Sequence, residues 1–455
     1  MERAGVESAE GQELVGQARR ARVVIVTYYW PPSGGAGVQR WLKMAKCLAA
    51  GGAVEPIIFT PSNPDPPLRD GSLLADVPEG LRVVTYSGVE PGRALRRVLR
   101  RERGGLETTS AAKAGRGGLA GWVARWVRGN LFIPDARCFG VRRGARSLRR
   151  WIERNGADAI ITTGPPHSMH LIGLRVQRAC KVRWIADFRD PWVDFPYLHY
   201  LPLTGYARRR HALLERRVVT SADRVLVVSP TMQRNFARAY GRTIDLVYNG
   251  YDSDDFVGLS PHVPSRPFTL LHCGEMKDDQ SPHALWSALA ELRGEGSITP
   301  GALRVLLIGR VAGGVLAEVE TAGAGPFVSA LPPVAHTELP SMLREASALL
   351  LSINRVPGAE GIITGKLFEY LAAERPILAF GPPGGDTAAL IGSLDAGKLF
   401  SHDDTRAVKQ TLLAWMAAEG AGALRGSNGG RARFSRQEQA EAVVRIVEEE
   451  CGRAR

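Results

Sequence analysis

The chain has 455 residues, 44% hydrophobic and 23% charged, the balance of a folded protein and not of a disordered or fibrous one. That length exceeds what one core usually supports and predicts two domains of roughly 200 residues each. The formal charge of +13 is concentrated in one place: Arg93 to Arg150 hold 16 Lys and Arg against 3 Asp and Glu, and the rest of the chain is neutral. A local anionic partner is expected there, whereas a nucleic-acid role is not, because no recognised module or interleaved aromatic and basic platform accompanies the charge.

The opening MERAGVESAEGQELVGQ mixes acids into a stretch where a signal peptide would be basic and then apolar. Residues 1–20 read as a disordered tail. No apolar run approaches the ~18 residues of a spanning helix, so the expected location is the cytoplasm. Cys47, Cys138, Cys180, Cys273 and Cys451 are scattered and odd in number, which argues against a disulfide framework or a zinc site.

Short β-branched runs bounded by Gly or Pro then recur at helix-length intervals. VVIVTYY, PIIFTPS, VVTYS, AIITTGPP, WIADFRDP, RVLVVSP and LVYNG fill the first half, and FTLLHCGE, RVLLIGR, FVSALPPV, ALLLSIN and PILAFGP the second. Runs without strict alternation are what strands buried on both faces look like, so two doubly wound α/β domains with parallel sheets are predicted. The Pro- and Ser-containing stretch between Asp252 and Pro267 places a boundary, giving domains at about 21–258 and 265–432. The basic segment 93–150 reads as an insertion in the first.

Polar residues cluster where strands end. Gly34, Gly35 and Gly37 separate the first strand from a helix with Trp41, Leu42, Ala45 and Leu48 on one face, a turn able to bring backbone N–H groups near an anion. On spacing alone an ordinary strand-to-helix turn is the better reading, since neither the dinucleotide nor the Walker spacing is present. His167 and His170 follow a later strand, and Asp187, Arg189 and Asp190 the next; helix capping or sugar contact suits the histidines better than metal, for want of a third ligand. In TGKLFEYLAAERPIL, Lys366 and Glu369 project from the first turn of a helix preceded by Thr364 and Gly365, with Leu367, Phe368, Leu371 and Ala372 on the other side. An ammonium, a carboxylate and free N–H groups at the positive end of a helix could hold a nucleoside diphosphate, or form a surface pair worth ~0.2–0.5 kcal/mol. The helix dipole alone, at ~0.3–1 kcal/mol, is too weak for a leaving diphosphate.

Taken together, TYYWPPSGGAGVQRW, NLFIPDAR, TTGPPHSMHLIGL, DFRDPW, VYNGYD and TGKLFEYLAAERPIL resemble a bacterial branch of glycosyltransferase family 4. The resemblance implies a GT-B fold, two Rossmann-like domains facing a central cleft, with the C-terminal helix at 433–455 crossing back onto the first domain. It also implies sugar transfer from a nucleotide donor with retention, without an obligatory metal or other cofactor. Donor contacts then fall on Gly34, Gly35, Gly274, Lys277, Thr364, Gly365, Lys366 and Glu369, and acceptor or sugar contacts on His167, His170, Arg189 and Glu360.

Two departures stand out. The family's first glutamate falls on Gly361, one residue after Glu360, and Gln280 stands where an arginine is usual, leaving Lys277 as the nearest cation. Asp190 is the candidate base if the reaction inverts. The expected partners are a nucleotide sugar, a glycan or lipid-linked acceptor in cell-envelope polysaccharide or glycoconjugate synthesis, and an anionic membrane surface. For that surface, Leu119, Trp122, Val123, Trp126 and Val127 share one helical face beside Arg125 and Arg128, a pattern that equally suits an apolar face docked on the protein's own core with a solvated arginine side. A nucleotide-sugar 2-epimerase and a non-catalytic nucleotide-sugar or glycan-binding protein are the competing classes.

Overall fold

The computed structural model describes residues 19–66, 68–88, 118–194, 198, 200–264, 266–426 and 429–452. Most of the expected N-terminal tail and the part of the basic segment from 93 to 117 lie outside them. The first sheet contains β1 (Ala21–Val26), β2 (Val54–Pro61), β3 (Arg82–Tyr86), β4 (Ala159–Gly164), β5 (Arg183–Phe188), β6 (Arg224–Val227) and β7 (Asp245–Leu246) in the order β3-β2-β1-β4-β5-β6-β7. The second contains β8 (Phe268–Cys273), β9 (Leu303–Ile308), β10 (Val328–Leu331), β11 (Ala348–Ser352), β12 (Ile377–Phe380) and β13 (Gly397–Phe400) in the order β10-β9-β8-β11-β12-β13. Every pairing is parallel.

Helices supply the crossovers: α1 (Ala36–Gly51), α2 (Gly118–Leu131), α3 (Val141–Asn155), α4 (Ser168–Cys180), α5 (Gly205–Ser221) and α6 (Pro230–Tyr240) in the first lobe. In the second they are α7 (His283–Gly294), α8 (Gly313–Thr321), α9 (Leu339–Glu345), α10 (Gly365–Ala373), α11 (Asp386–Ser393) and α12 (Thr405–Gly420), and α13 (Arg436–Glu450) closes the chain. Their ends follow local chemistry. Ser229 caps α6 by accepting from Met232 N, with Pro230 in the first turn, and Gly241 ends it in the left-handed conformation.

Twelve of these strands are the predicted runs, with two differences. VVIVTYY stops pairing at Val26, because Thr27 to Tyr29 already belong to the turn. GKLF is an additional strand at the sheet edge, where Lys398 is exposed and the run is too short and polar to stand out.

Each sheet reverses its winding between two central strands, β1 and β4 in one lobe, β8 and β11 in the other. The polar loops sit beyond the carboxyl ends of these strands, where doubly wound sheets bind ligands. The lobes are joined twice. Residues 247–267 lead from one sheet to the other, and after Phe434 the chain returns as α13, whose Ala440, Val443, Ile446 and Val447 pack with Val23, Ile25 and Trp41 in the first lobe's core. A further tie comes from Asp386 of α11, which accepts from Thr231 N at 2.8 Å and Thr231 Oγ1 at 2.9 Å.

Candidate active site

The helix α10 is buried on more sides than its sequence pattern implies, since Tyr370 and Ala373 are enclosed as well as Leu367, Phe368, Leu371 and Ala372. The Tyr370 hydroxyl accepts from Cys273 N at 3.0 Å and so ties α10 to the end of β8. Its first turn stays open: Thr364, Gly365, Lys366 and Glu369 are all half-buried. Thr364 has N-cap backbone geometry, yet its side chain makes no capping bond and Oγ1 is a buried atom with no partner.

Lys366 lies across the loop that leaves β8. Its Nζ donates to the Glu275 carbonyl at 2.9 Å and lies 3.2 Å from His272 Nε2. His272 Nδ1 faces the Leu350 carbonyl at 2.9 Å, which assigns the proton to Nδ1 and leaves Nε2 to accept from the lysine. Gly274 is required beneath the lysine, because its φ is +108° and an added Cβ would stand 2.7 Å from Lys366 Cε. Burial lowers the ammonium to about 8, against the opposing pull of Glu369. Burial likewise raises the Glu369 carboxyl, opposed by His336, Arg436 and Lys366, and pushes His272 down to about 3, with Lys366 adding to the effect.

The two departures acquire structural meaning. Gln280 is buried, accepts from Lys277 N at 2.9 Å and donates to Asn354 Oδ1 at 3.2 Å, so it knits the β8 loop to the β11 loop and presents nothing to the cleft. Lys277 remains beside it, 3.7 Å from Glu275. Gly361 faces the other lobe, where an added Cβ would meet Thr231 Cγ2 at 3.2 Å, and a glutamate there would have to displace the interlobe contact. Glu360 is exposed.

In the first lobe, the Gly34 N–H donates to the Leu68 carbonyl at 2.9 Å and is not available to an anion. Gly35, exposed and at φ +96°, is the cap of α1. The Arg189 guanidinium lies over Gly37, where an added Cβ would come within 2.9 Å of Nη1, and Nη2 donates to the Pro165 carbonyl while Nε is buried without a partner. A cation above the positive end of a helix is an anion-seeking arrangement. Burial raises the neighbouring Asp190 carboxyl, with Arg189 opposing, and Asp190 has no hydrogen-bond partner among the described residues.

The histidines are placed differently from one another. His170 is fully buried, bonded through Nδ1 to Thr162 Oγ1 at 2.9 Å and stacked 4.4 Å from Phe188, and its Nε2 is buried without a partner. His167 stacks on Trp192 at 5.1 Å, makes no capping bond and keeps Nδ1 unpartnered. Burial lowers both rings.

Sequence reasoning did not find a buried polar network among the described residues of the first lobe. Arg40, 1% exposed, meets Asp187 at 2.8 Å and donates to the carbonyls of Tyr248 and Val247, while Trp41 Nε1 and Thr163 Oγ1 donate to the same carboxylate at 2.7 and 2.8 Å. Lys43, also buried, is held by Asp252 at 2.7 Å, Asp76 at 3.1 Å and Asp255 at 3.2 Å, and His336 of the second lobe reaches Asp255 at 3.3 Å. These groups join α1, the crossover and the second lobe. His272 was missed as well, hidden inside an apolar strand run.

Residues 105–255 match the family model described as Glycosyltransferase Family 4. No curated protein sequence matches the chain. Among solved structures, a sucrose-phosphate synthase from Thermosynechococcus elongatus is similar over 96% of this chain and 100% of its own, at 14% identity and a TM-score of 0.61. The Anabaena protein Alr3699/HepE is similar over 94% and 99%, at 12% identity and 0.56. A Listeria monocytogenes protein described as a UDP-N-acetylglucosamine 2-epimerase is similar over 96% and 98%, at 10% identity and 0.53. Such identities speak for the fold alone, which is GT-B. Through the family 4 match at residues 105–255 the chain is identified as a glycosyltransferase, built on that two-lobed fold.

Proposed function

We propose that the chain transfers a sugar from a nucleotide donor whose diphosphate rests against the first turn of α10, to a glycan or lipid-linked acceptor in cell-envelope polysaccharide or glycoconjugate synthesis. One observation carries this reading: a partly desolvated ammonium, Lys366, held across Gly274 by neutral acceptors only, beside the orphaned Thr364 hydroxyl. An ammonium so placed is ready to meet negative charge that develops on a leaving phosphate, and no reorganisation is needed at that moment. The Anabaena relative is described in complex with UDP-glucose, which supports a nucleotide sugar as the ligand.

In this reading Thr364 and Gly365 offer the hydroxyl and N–H groups of the helix start, Lys277 adds a second cation, and Glu369 accepts from ribose hydroxyls. The first lobe contributes Gly35 and Arg189 towards the phosphate or acceptor, with His167 and the exposed Glu360 as flanking sugar contacts. The acceptor hydroxyl attacks the same face of the sugar and passes its proton to the departing phosphate, so the configuration is retained. The chemistry calls on no metal ion. Asp190, its carboxyl raised by burial, is the base of the inverting alternative, and the product's anomeric configuration by NMR decides between them.

Acceptor-dependent release of nucleoside diphosphate tests the assignment. Release that needs an acceptor supports a transferase; interconversion of the donor without one would mean a 2-epimerase, and binding without turnover a lectin-like role. The membrane partner rests on α2, where Leu119 is 79%, Trp122 47% and Val123 44% exposed, so the apolar face points outward. Replacing Trp122 and Trp126 by serine should release the protein from anionic liposomes; unchanged partitioning sinks that contact. No helix among the described residues is long and apolar enough to cross a membrane.

A further inference from the structure

Among the described residues of the first lobe, five arginines line one groove. Arg143, Arg146, Arg150 and Arg154 follow one another at spacings of three, four and four residues along α3, a single stripe of the helix. Opposite them lies the edge strand β3, whose Arg82 sits over the Trp151 ring at 5.2 Å and donates to Asn155 Oδ1 at 3.2 Å. Together these residues line a cavity of about 490 Å³.

Among the described residues none of the four stripe arginines has a carboxylate partner; the ion pair within this helix is Arg149 with Glu153, at 3.3 Å. Like charges at such spacings repel. The opposite face of α3 explains why the helix forms: Val141, Gly144, Ala145, Leu148 and Ile152 are buried in the lobe. Nothing in that packing requires arginine on the outer side, where lysine, glutamate or glutamine would serve the helix equally.

We propose that this groove binds a phosphate-bearing polyanion at a site separate from the interlobe cleft. Guanidinium forks match phosphate oxygens two at a time. The eleven residue steps from Arg143 to Arg154 span about 16 Å at the helical rise, more than one phosphate fills and enough for a diphosphate or for several headgroups. Because α3 feeds β4 from its C-terminal end, Arg154 and Arg82 lie towards the amino ends of the strands, away from the loops that carry Lys366 and Arg189. The site stands independently of the donor reading.

The experiment uses the full chain and two probes. Inorganic pyrophosphate is titrated by calorimetry into Lys366→Met, which disables the donor turn, and into Lys366→Met combined with Arg146→Gln and Arg150→Gln. Separately, vesicles of phosphatidylglycerol or of phosphatidylcholine are pelleted with the unaltered chain and with Arg146→Gln/Arg150→Gln. Both arginines are exposed, so folding is checked by circular dichroism and expected unchanged.

A tenfold or greater loss of pyrophosphate affinity on removing the arginines assigns a soluble phosphate ligand. Arginine-dependent pelleting with phosphatidylglycerol only, without pyrophosphate binding, assigns a lipid phosphate. If neither probe distinguishes the arginine variant from its parent, the groove is an ordinary solvated face and the proposal is overturned. Acceptor-dependent nucleoside diphosphate release by Arg146→Gln/Arg150→Gln, using a water-soluble acceptor, reports on the donor reading alone.

Discussion

The lysines of α1 and α10 occupy similar places, each in a helix that follows a central strand, and they are treated in opposite ways. Lys43 is surrounded by Asp76, Asp252 and Asp255, and these carboxylates raise its pKa in spite of burial, the largest single influence. Lys366 is held by a carbonyl and a neutral imidazole, and burial lowers it to about 8. A buried cation among carboxylates has its charge answered inside the protein and joins elements together. One held by uncharged lone pairs keeps its charge for something that arrives.

The same contrast separates Arg40, closed onto Asp187, from Arg189, whose Nε has no partner. The largest effect expected from breaking this comparison is therefore on folding. Asp187→Ala leaves the Arg40 guanidinium buried and unpaired and should cost about 3–5 kcal/mol, the usual penalty for breaking a buried ion pair. Urea unfolding measures it, and turnover per folded molecule should change by only a few-fold. A variant of full stability and no activity would place Asp187 in the chemistry and erase the distinction.

Lys366→Met is the opposite case. Loss of a preorganised donor to developing charge typically lowers kcat by about 10²–10³, and the melting temperature should stay within a few degrees. The pH dependence sharpens the point. A lysine lowered to about 8 loses its proton as pH rises through that value, so kcat/KM should fall roughly tenfold per unit above it. Lys366→Arg, with a cation that stays protonated, should abolish that alkaline limb even if its overall rate is lower. An alkaline limb that survives the arginine variant would assign it to another group.

Local sequence made the fold legible because each buried strand needs a continuous β-branched run, and that need is satisfied within a few residues. That Thr364, Lys366 and Glu369 lie together was legible for the same reason: six consecutive residues at one helix start fix their relation. Arg40 and Asp187 are 147 residues apart, and nothing in either segment states that they meet. His272 sits inside FTLLHC and reads as a polar interruption of a core strand until α10 is folded over it. Gly34 reads as an anion-binding glycine, and only the neighbouring segment at Leu68 shows its N–H occupied. The basic excess was visible as composition, but the groove required β3 to lie beside α3.

His272→Phe should have an intermediate effect. It removes the imidazole lone pair that steadies Lys366 but leaves the Glu275 carbonyl, so about a tenfold fall in kcat/KM is expected, the worth of one ordinary hydrogen bond to a charged group. A positioning role predicts that kcat falls with little change in donor KM and that the alkaline limb moves, whereas a packing role alone would lower stability and leave both untouched.

Thr364→Val tests the comparison most finely. At an ordinary N-cap, replacing the hydroxyl costs ~0.5–2 kcal/mol of stability, because an N–H of the first turn loses its acceptor. Here Oγ1 caps nothing and is already without a partner, so the free protein should unfold at the same urea concentration as before. The hydroxyl should matter only once a diphosphate is present: donor KM should rise by about three- to tenfold, the worth of a single neutral hydrogen bond, with kcat nearly unchanged. If stability falls by the usual capping amount and KM does not move, the first turn of α10 is an ordinary helix start, and Lys366 would then have to hold the donor without it.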